Sequence, residues 1–256
     1  MIFVVDIGNS NTVAGIYHGE NLIKRWRIAT DRTLTVDDIA AKFFALLMFD
    51  KIEPQNIDFC IISSVVPTWN HAWERFAVEH LNIKPLFLRH DTRCGISLNI
   101  SNPSEIGADR IANSVAASAM FPEGSFIIDS GTAITLDIVT PQKEYIGGAI
   151  MPGIMISMEA MSMRTAKLPR FELERPLKAI GKSTLEGLKS GVFYGFVGMI
   201  DRVIAESLKE VSFKPKIIAT GGLAGAIASS SEYISEFDRD LTLKGLKIIA
   251  EINKSR

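Results

Sequence analysis

A short apolar run that ends in a carboxylate opens the chain, and the same pattern returns after the midpoint. An apolar run from Ile2 to Val5 stops at Asp6, turns at Gly8 and resumes with β-branched residues, which predicts strands near 2–7, 12–17 and 22–28. From Thr35 the period becomes helical, predicting a helix near 36–49 opened by Thr35, Asp37 and Asp38. A buried-type strand over Asp58–Ser63, a helix beginning at Pro67 and a strand near 85–88 give a β-α-β run. Trp69, Trp73, Phe76, Ala77 and Leu81 share the face of that helix; the tryptophans read as core, with a ligand-stacking platform as the alternative. A polar stretch from Arg89 to Glu105 leads into a helix near 107–121.

The second half repeats the plan. Strands are predicted near 125–129, 133–139 and 144–149, then helices near 153–163 and 184–209, a strand over Lys216–Thr220 ending in Gly221-Gly222, and a last helix near 242–253. Three antiparallel strands feeding alternating helices and strands, twice over, predict an α/β protein with mixed sheets. The duplication is visible in the letters: Phe3-Val-Val-Asp6-Ile-Gly8-Asn-Ser-Asn-Thr12 aligns without a gap on Phe126-Ile-Ile-Asp129-Ser-Gly131-Thr-Ala-Ile-Thr135. The expected domains are residues 1–115 and 116–256, facing each other across a cleft, with the last helix able to pack back on the first domain.

Each copy reads as strand, tight turn, strand, with a carboxylate at the bend. One copy alone is an ordinary hairpin; two in register point to nucleotide handling, because such turns offer backbone N–H groups to phosphate and Asp offers a hard oxygen to a cation. Gly181-Lys182-Ser183-Thr184 imitates the tail of a P-loop, but Pro176 occupies the place of the required first glycine. Ser183 with Glu186 reads instead as a capping box, which puts Thr184 at a helix N-terminus suited to a polar substrate. Gly107-Ala108-Asp109-Arg110 has two readings: ordinary N-terminal helix electrostatics, or a base and an anion-holding side chain for an accepting hydroxyl.

Composition narrows the class. Lys plus Arg is 28 and Asp plus Glu is 29 in 256 residues, so no basic surplus recommends nucleic acid or an anionic membrane. Cys60 and Cys94 have neither metal-ligand nor disulfide-scaffold spacing and read as reduced thiols. The N-terminus enters a strand at Ile2 and no apolar run reaches membrane-span length, so a soluble, cytoplasmic protein is expected. His18, His71, His80 and His90 form no ligand or triad spacing, and no Gly-x-Ser-x-Gly elbow occurs. Met151, Met155, Met158, Met161 and Met163 read as core or subunit contact, or as a flexible apolar pocket wall. Gly187, Gly191, Gly195 and Gly198 mark one helix face, a costly arrangement that predicts tight helix packing within the chain or across a dimer.

Taken together these segments resemble the type III pantothenate kinases, of the superfamily of sugar kinases, actin and the 70-kDa heat-shock chaperones. The resemblance runs nearly end to end. It is carried by Asp6–Thr12, Ser63-Ser-Val-Val-Pro67, Asn102-Pro103, Gly107–Arg110, Asp129-Ser-Gly-Thr132, Gly147–Gly153, Thr165-Ala-Lys-Leu-Pro169, Thr220-Gly-Gly222 and Asp240–Gly245. It implies two duplicated ribonuclease H-like (actin-like ATPase) domains and transfer of the ATP γ-phosphoryl group to the 4′-hydroxyl of pantothenate, which opens coenzyme A synthesis. By the same resemblance Asp6, Ile7, Gly8, Asn9, Ser10, Asn11, Thr12 and Val13 form the first phosphate loop, with Asp6 holding magnesium directly or through water. Asp109 is the general base, Gly107, Ala108, Asp109, Arg110 and Thr184 contact pantothenate, Thr132 contacts ATP, and Asp129 holds a monovalent cation, potassium or ammonium. The resemblance also implies a homodimer. One departure is Ile100, where many members carry a pocket Tyr. Two other readings stay open: a kinase acting on a sugar or short carboxylic acid, and a nucleotide-switched regulatory protein.

Overall fold

Two sheets with the same internal strand order emerge from the two repeats. The computed structural model describes residues 1–164, 169 and 171–254. The chain divides into two units, Met1–Ala116 with Leu241–Arg256, and Ala117–Asp240. Of the Thr165–Pro169 motif, only Pro169 falls inside the described residues.

In the first unit β1 (Ile2–Ile7), β2 (Asn11–His18) and β3 (Asn21–Ala29) form an antiparallel meander. After α1 (Val36–Phe49), β4 (Phe59–Ser64) lies parallel to β1. After α2 (Asn70–Leu81), β5 (Leu86–Phe87) extends the sheet to the order β3-β2-β1-β4-β5. β6 (Ser97–Leu98) and α3 (Ala108–Met120) follow. The predicted cap of α1 is a full capping box: Thr35 Oγ1 accepts the Asp38 N–H, and Asp38 Oδ2 accepts the Thr35 N–H at 2.9 Å. The helix predicted from Pro67 begins instead with a 3₁₀ turn over Pro67–Trp69, because Val66 C=O accepts the Trp69 N–H three residues on.

Phe3, Val5, Ile7, Ile16, Cys60 and Ile62 turn one sheet face toward α1 and α2. Trp73, wholly buried, meets Phe43 and Trp69 edge-on with ring centres 5.2 and 5.7 Å apart, so the tryptophans are core. The opposite face carries α7 (Leu241–Lys254), which contacts β1, β2 and β4. Gly245 permits α7 to lie on α3: a Cβ there would stand 1.8 Å from Ala112 O. Thr242 Oγ1 donates to Asn113 Oδ1 at 2.7 Å beside it.

The second unit repeats the order. β7 (Ser125–Ser130), β8 (Ala133–Val139) and β9 (Glu144–Pro152) are antiparallel, and β10 (Lys216–Thr220) returns parallel to β7. Its helices are α4 (Ile154–Arg164), α5 (Thr184–Ser207) and α6 (Ala224–Ala228), and β11 (Glu236–Phe237) closes the run β11-β10-β7-β8-β9. β1 and β7 have the same burial sequence, buried throughout except at Asp6 and Asp129. Even the bulge recurs, between Ile16 and Tyr17 and between Ile138 and Val139. The gapless alignment of the two copies nonetheless breaks at the turn. Ile7 pairs with Thr12, whereas Ser130 pairs with Ile134, so the second turn is one residue shorter and Thr12 corresponds in space to Ile134 rather than Thr135. α6 and β11, too short to show a period, went unpredicted. Phe126, Ile128, Ile134, Leu136 and Met151 pack against Ile154, Phe193, Ile200 and Ile227 to form this unit's core.

Candidate active site

Asp6 stands on the only partly exposed step of β1. Across the parallel ladder it faces Ser63, whose Oγ donates to Asp6 Oδ1 at 2.9 Å. Just beyond, the Gly8 N–H donates to Asn11 O at 3.0 Å and closes a tight turn that exposes Asn9 and Ser10. A Cβ at Gly8 would lie 2.9 Å from Asn11 O, so the turn has no room for one. Thr30, past the end of β3, braces the turn: its N–H donates to Ser10 O at 3.1 Å and its Oγ1 to Gly8 O at 2.8 Å. With that hydroxyl proton committed, Thr12 Oγ1 is the donor in its 2.9 Å contact with Thr30 Oγ1. Ile7 and Thr12 are fully buried and support the turn from beneath, while Val13 is half-buried on β2.

The Gly107–Arg110 segment belongs to the same unit and lies beside that turn. The Val65 N–H donates to Ile7 O at 3.0 Å, and a Cβ at Gly107 would lie 3.7 Å from Val65 Cγ1. Asp109, in the first turn of α3, folds its carboxylate back over Gly107 while Oδ1 accepts the Arg110 N–H at 2.8 Å. The Cβ of an alanine at 107 would sit 2.4 Å from Asp109 Oδ1. Only a flexible side-chain end stands in its way, so Gly107→Ala is expected to cost less than about 1 kcal/mol of stability and still to displace the carboxylate. Urea unfolding and steady-state kinetics check this together; unchanged kcat would show that Asp109 does not need its observed position.

The second turn repeats the first with different supports. Asp129 faces Thr220 across the β7–β10 ladder, and the Gly131 N–H donates to Ala133 O at 3.0 Å. Gly221 has φ +97°, and a Cβ there would lie 2.6 Å from both Asp129 Oδ1 and Ser130 O. This glycine serves the close approach of two strand ends around Asp129. Gly153 backs the exposed Thr132: a Cβ at Gly153 would lie 1.8 Å from Thr132 O.

On β8, directly opposite Asp129, Thr135 Oγ1 donates to Asp137 Oδ2 at 3.0 Å. Tyr145 OH donates to Asp137 Oδ1 at 2.8 Å, and both Asp137 and Tyr145 are fully buried. Tyr145→Phe is expected to lower the unfolding free energy by roughly 1–3 kcal/mol, since a buried carboxylate loses a donor. A urea midpoint equal to that of the parent would contradict this.

Thr184 opens α5 and is exposed. The predicted capping box forms in part: Ser183 Oγ accepts the Glu186 N–H at 3.2 Å, but the Glu186 carboxylate reaches the Lys182 N–H at 2.6 Å rather than that of Ser183. The glycine face of α5 is open among the described residues. A Cβ at Gly187, Gly191, Gly195 or Gly198 would meet nothing within 4 Å outside its own helix backbone among the described residues, so no described residue packs tightly on this face. Thr184, Met161, Gly187, Gly191, Gly195 and Phe196 line an apolar groove of about 530 Å³ there. The methionines divide, with Met151 and Met158 in the core and Met155 and Met163 exposed.

Among the described residues no group of three or more His, Cys, Asp or Glu gathers to hold a metal. Each turn instead offers a single carboxylate, which suits a hard cation that keeps waters and phosphate oxygens as its other ligands. Cys60 and Cys94 are buried free thiols, and burial pushes the Cys60 thiol up to about 12. No helix among the described residues is long and apolar enough to cross a membrane. Spacing alone missed Ser63, Thr30 and Gly153, because each acts on a residue far away in the chain.

Comparison with known proteins adds to the geometry. The family model described as type III pantothenate kinase matches residues 2–206. A type III pantothenate kinase from Geobacillus sp. (strain WCH70) is 46% identical over 253 residues, covering 99% of this chain and 98% of the relative. Among solved structures, a Baf family protein from Campylobacter jejuni superposes with a TM-score of 0.62 at 23% identity, covering 99% of this chain and 100% of the other. The ROK hexokinase from Thermus thermophilus superposes with a TM-score of 0.52 at 11% identity, covering 99% of each chain. At such identities these two show the fold alone, that of the sugar kinases with paired ribonuclease H-like domains. The family match over most of the length and the full-length relative establish that the chain belongs to the type III pantothenate kinase family.

Proposed function

We propose that Asp109 is the general base of a phosphoryl transfer and that each Asp-containing turn is a phosphate-binding element. In keeping with its family, the chain phosphorylates pantothenate with ATP to 4′-phosphopantothenate, the first step of coenzyme A biosynthesis. The observation that carries the reading is the Asp109 carboxylate, folded over Gly107 in the unit that also holds the Asp6 turn. The N–H groups of the turns after Asp6 and Asp129, with Thr132, receive phosphate oxygens. Asp6, one oxygen fixed by Ser63, would hold magnesium, which would neutralise charge on the phosphates. Asp129, which Gly221 approaches closely, would hold potassium or ammonium. Arg110 and Thr184 hold pantothenate. Asp109 accepts the 4′-hydroxyl proton as the new oxygen–phosphorus bond forms and the bond to ADP breaks.

The test is an acceptor panel of pantothenate, sugars and short carboxylic acids with ATP and magnesium, with and without potassium or ammonium. Phosphopantothenate formed only with pantothenate and faster with the monovalent cation is the expected result. Turnover of a sugar but not of pantothenate would overturn the substrate; nucleotide-dependent capture of a protein without any turnover would overturn the enzyme.

A homodimer through the open glycine face of α5 completes the proposal, since glycine spaced along a helix is costly unless a neighbouring backbone comes close. Leu185 and Tyr194 stand exposed on the same helix. The first side-chain carbon of Gly191→Leu meets no atom outside its own helix backbone within 4 Å among the described residues. It is expected to leave the monomer folded and to shift sedimentation from dimer to monomer; an undisturbed dimer would place the interface elsewhere.

A further inference from the structure

The segment that braces the first turn also brings a guanidinium to it. Arg32, two residues beyond Thr30, is exposed, and its Nη2 donates to Asn9 Oδ1 at 2.9 Å. Among the described residues this is its one polar contact, and no carboxylate pairs with it. Of the acidic side chains nearest in sequence, Asp37 lies 3.5 Å from His80 Nε2, and Asp31 and Asp38 are engaged locally. Asp31 Oδ1 accepts the Thr33 N–H at 3.0 Å and the Thr33 hydroxyl at 2.6 Å, and Asp38 Oδ2 accepts the Thr35 N–H at 2.9 Å and the Thr35 hydroxyl at 2.7 Å. A guanidinium carries five N–H donors in a rigid planar fork, so one arm on Asn9 leaves the others for an anion. The turn itself, Gly8-Asn9-Ser10-Asn11, has no cationic side chain. A nucleotide held there by N–H groups alone would keep most of its phosphate charge unmatched on that side.

We propose that Arg32 is a nucleotide-binding residue, anchored on Asn9 by one arm and donating with the others to the terminal phosphate oxygens of ATP. This rests on the reading of Gly8–Asn11 as a phosphate turn. Arg32 is thereby part of the binding site, held in place by the same Thr30 segment that shapes the turn.

The experiment compares direct binding of ATP, ADP, AMP and adenosine to the full-length parent protein, Arg32→Ala, Arg32→Lys, Asn9→Ala and the Arg32→Ala/Asn9→Ala double variant, each checked for folding by thermal melting. Arg32→Ala is expected to weaken ATP by roughly tenfold or more, a typical loss for a charge-assisted hydrogen bond. The loss should shrink for ADP and vanish for AMP and adenosine. Arg32→Lys should fall between, keeping the charge without the fork. Equal losses for all four ligands would overturn the proposal, since Arg32 would then act only by bracing the turn. A parent that binds ATP no better than adenosine would overturn the phosphate-turn reading itself. A parent that prefers ATP, with Arg32→Ala unchanged, would overturn only the role of Arg32.

Discussion

Asp109→Asn is expected to lower kcat for pantothenate phosphorylation by roughly 10²- to 10⁴-fold, the usual contribution of a positioned general base. Asn keeps the shape of the side chain and an oxygen to accept the Arg110 N–H, so the turn at the start of α3 should persist. The variant loses a negative charge near a helix N-terminus, worth about 0.3–1 kcal/mol, so the melting temperature should move by only a few degrees. These two magnitudes separate the alternative roles. If Asp109 served only the helix, the small stability loss would appear without the kinetic one. ATP binding should be nearly unaffected, because Asp109 acts on the accepting hydroxyl rather than on the nucleotide. A variant with near-parental kcat would remove Asp109 from the chemistry.

The second large effect comes from a single methyl group. Gly153→Ala would place a Cβ 1.8 Å from Thr132 O and 2.6 Å from Thr132 C, inside the backbone of the second turn. No side-chain rotation relieves such a collision, so either the β9–α4 junction or the Thr132 turn must move. Overpacking commonly costs about 1–3 kcal/mol, and contact with backbone puts this case at about 3 kcal/mol or more. Because Thr132 is proposed to contact ATP, the KM for ATP should rise in whatever fraction of the protein stays folded. The urea midpoint and KM measured on the same preparation decide the matter. A stable variant with unchanged KM would show that the turn tolerates displacement and that Thr132 contributes little.

Most of the architecture was legible in the chain because the signals were local. The apolar runs of β1 and β7, the helical period after Thr35 and the diglycine after β10 each report what one segment does with its own neighbours. The duplication was legible too, as two apolar runs ending in Asp6 and Asp129. Its gapless form was misleading, since letters cannot show that Gly8–Asn11 and Gly131–Ala133 close with different lengths. Trp69, in the turn before α2, and Trp73, within it, were read correctly as core because a shared helical face is itself a local property. The glycines of α5 failed that logic: their spacing is visible, but what approaches them is decided by other parts of the molecule, or by another molecule.

By itself the sequence determined the two strand-turn-strand units, their mixed α/β plan and the residues able to carry phosphate chemistry. These follow from hydrophobic period, turn residues and carboxylates that act over a few positions of chain. Only the tertiary structure decided how each turn is held: Thr30 on Gly8, Ser63 on Asp6, Val65 between Ile7 and Gly107, Gly221 against Asp129, and Gly153 behind Thr132. The physical reason is range. A hydrogen bond or a missing Cβ acts over a few ångströms of space, and which distant residues come within that distance is set by how strands pair and helices pack.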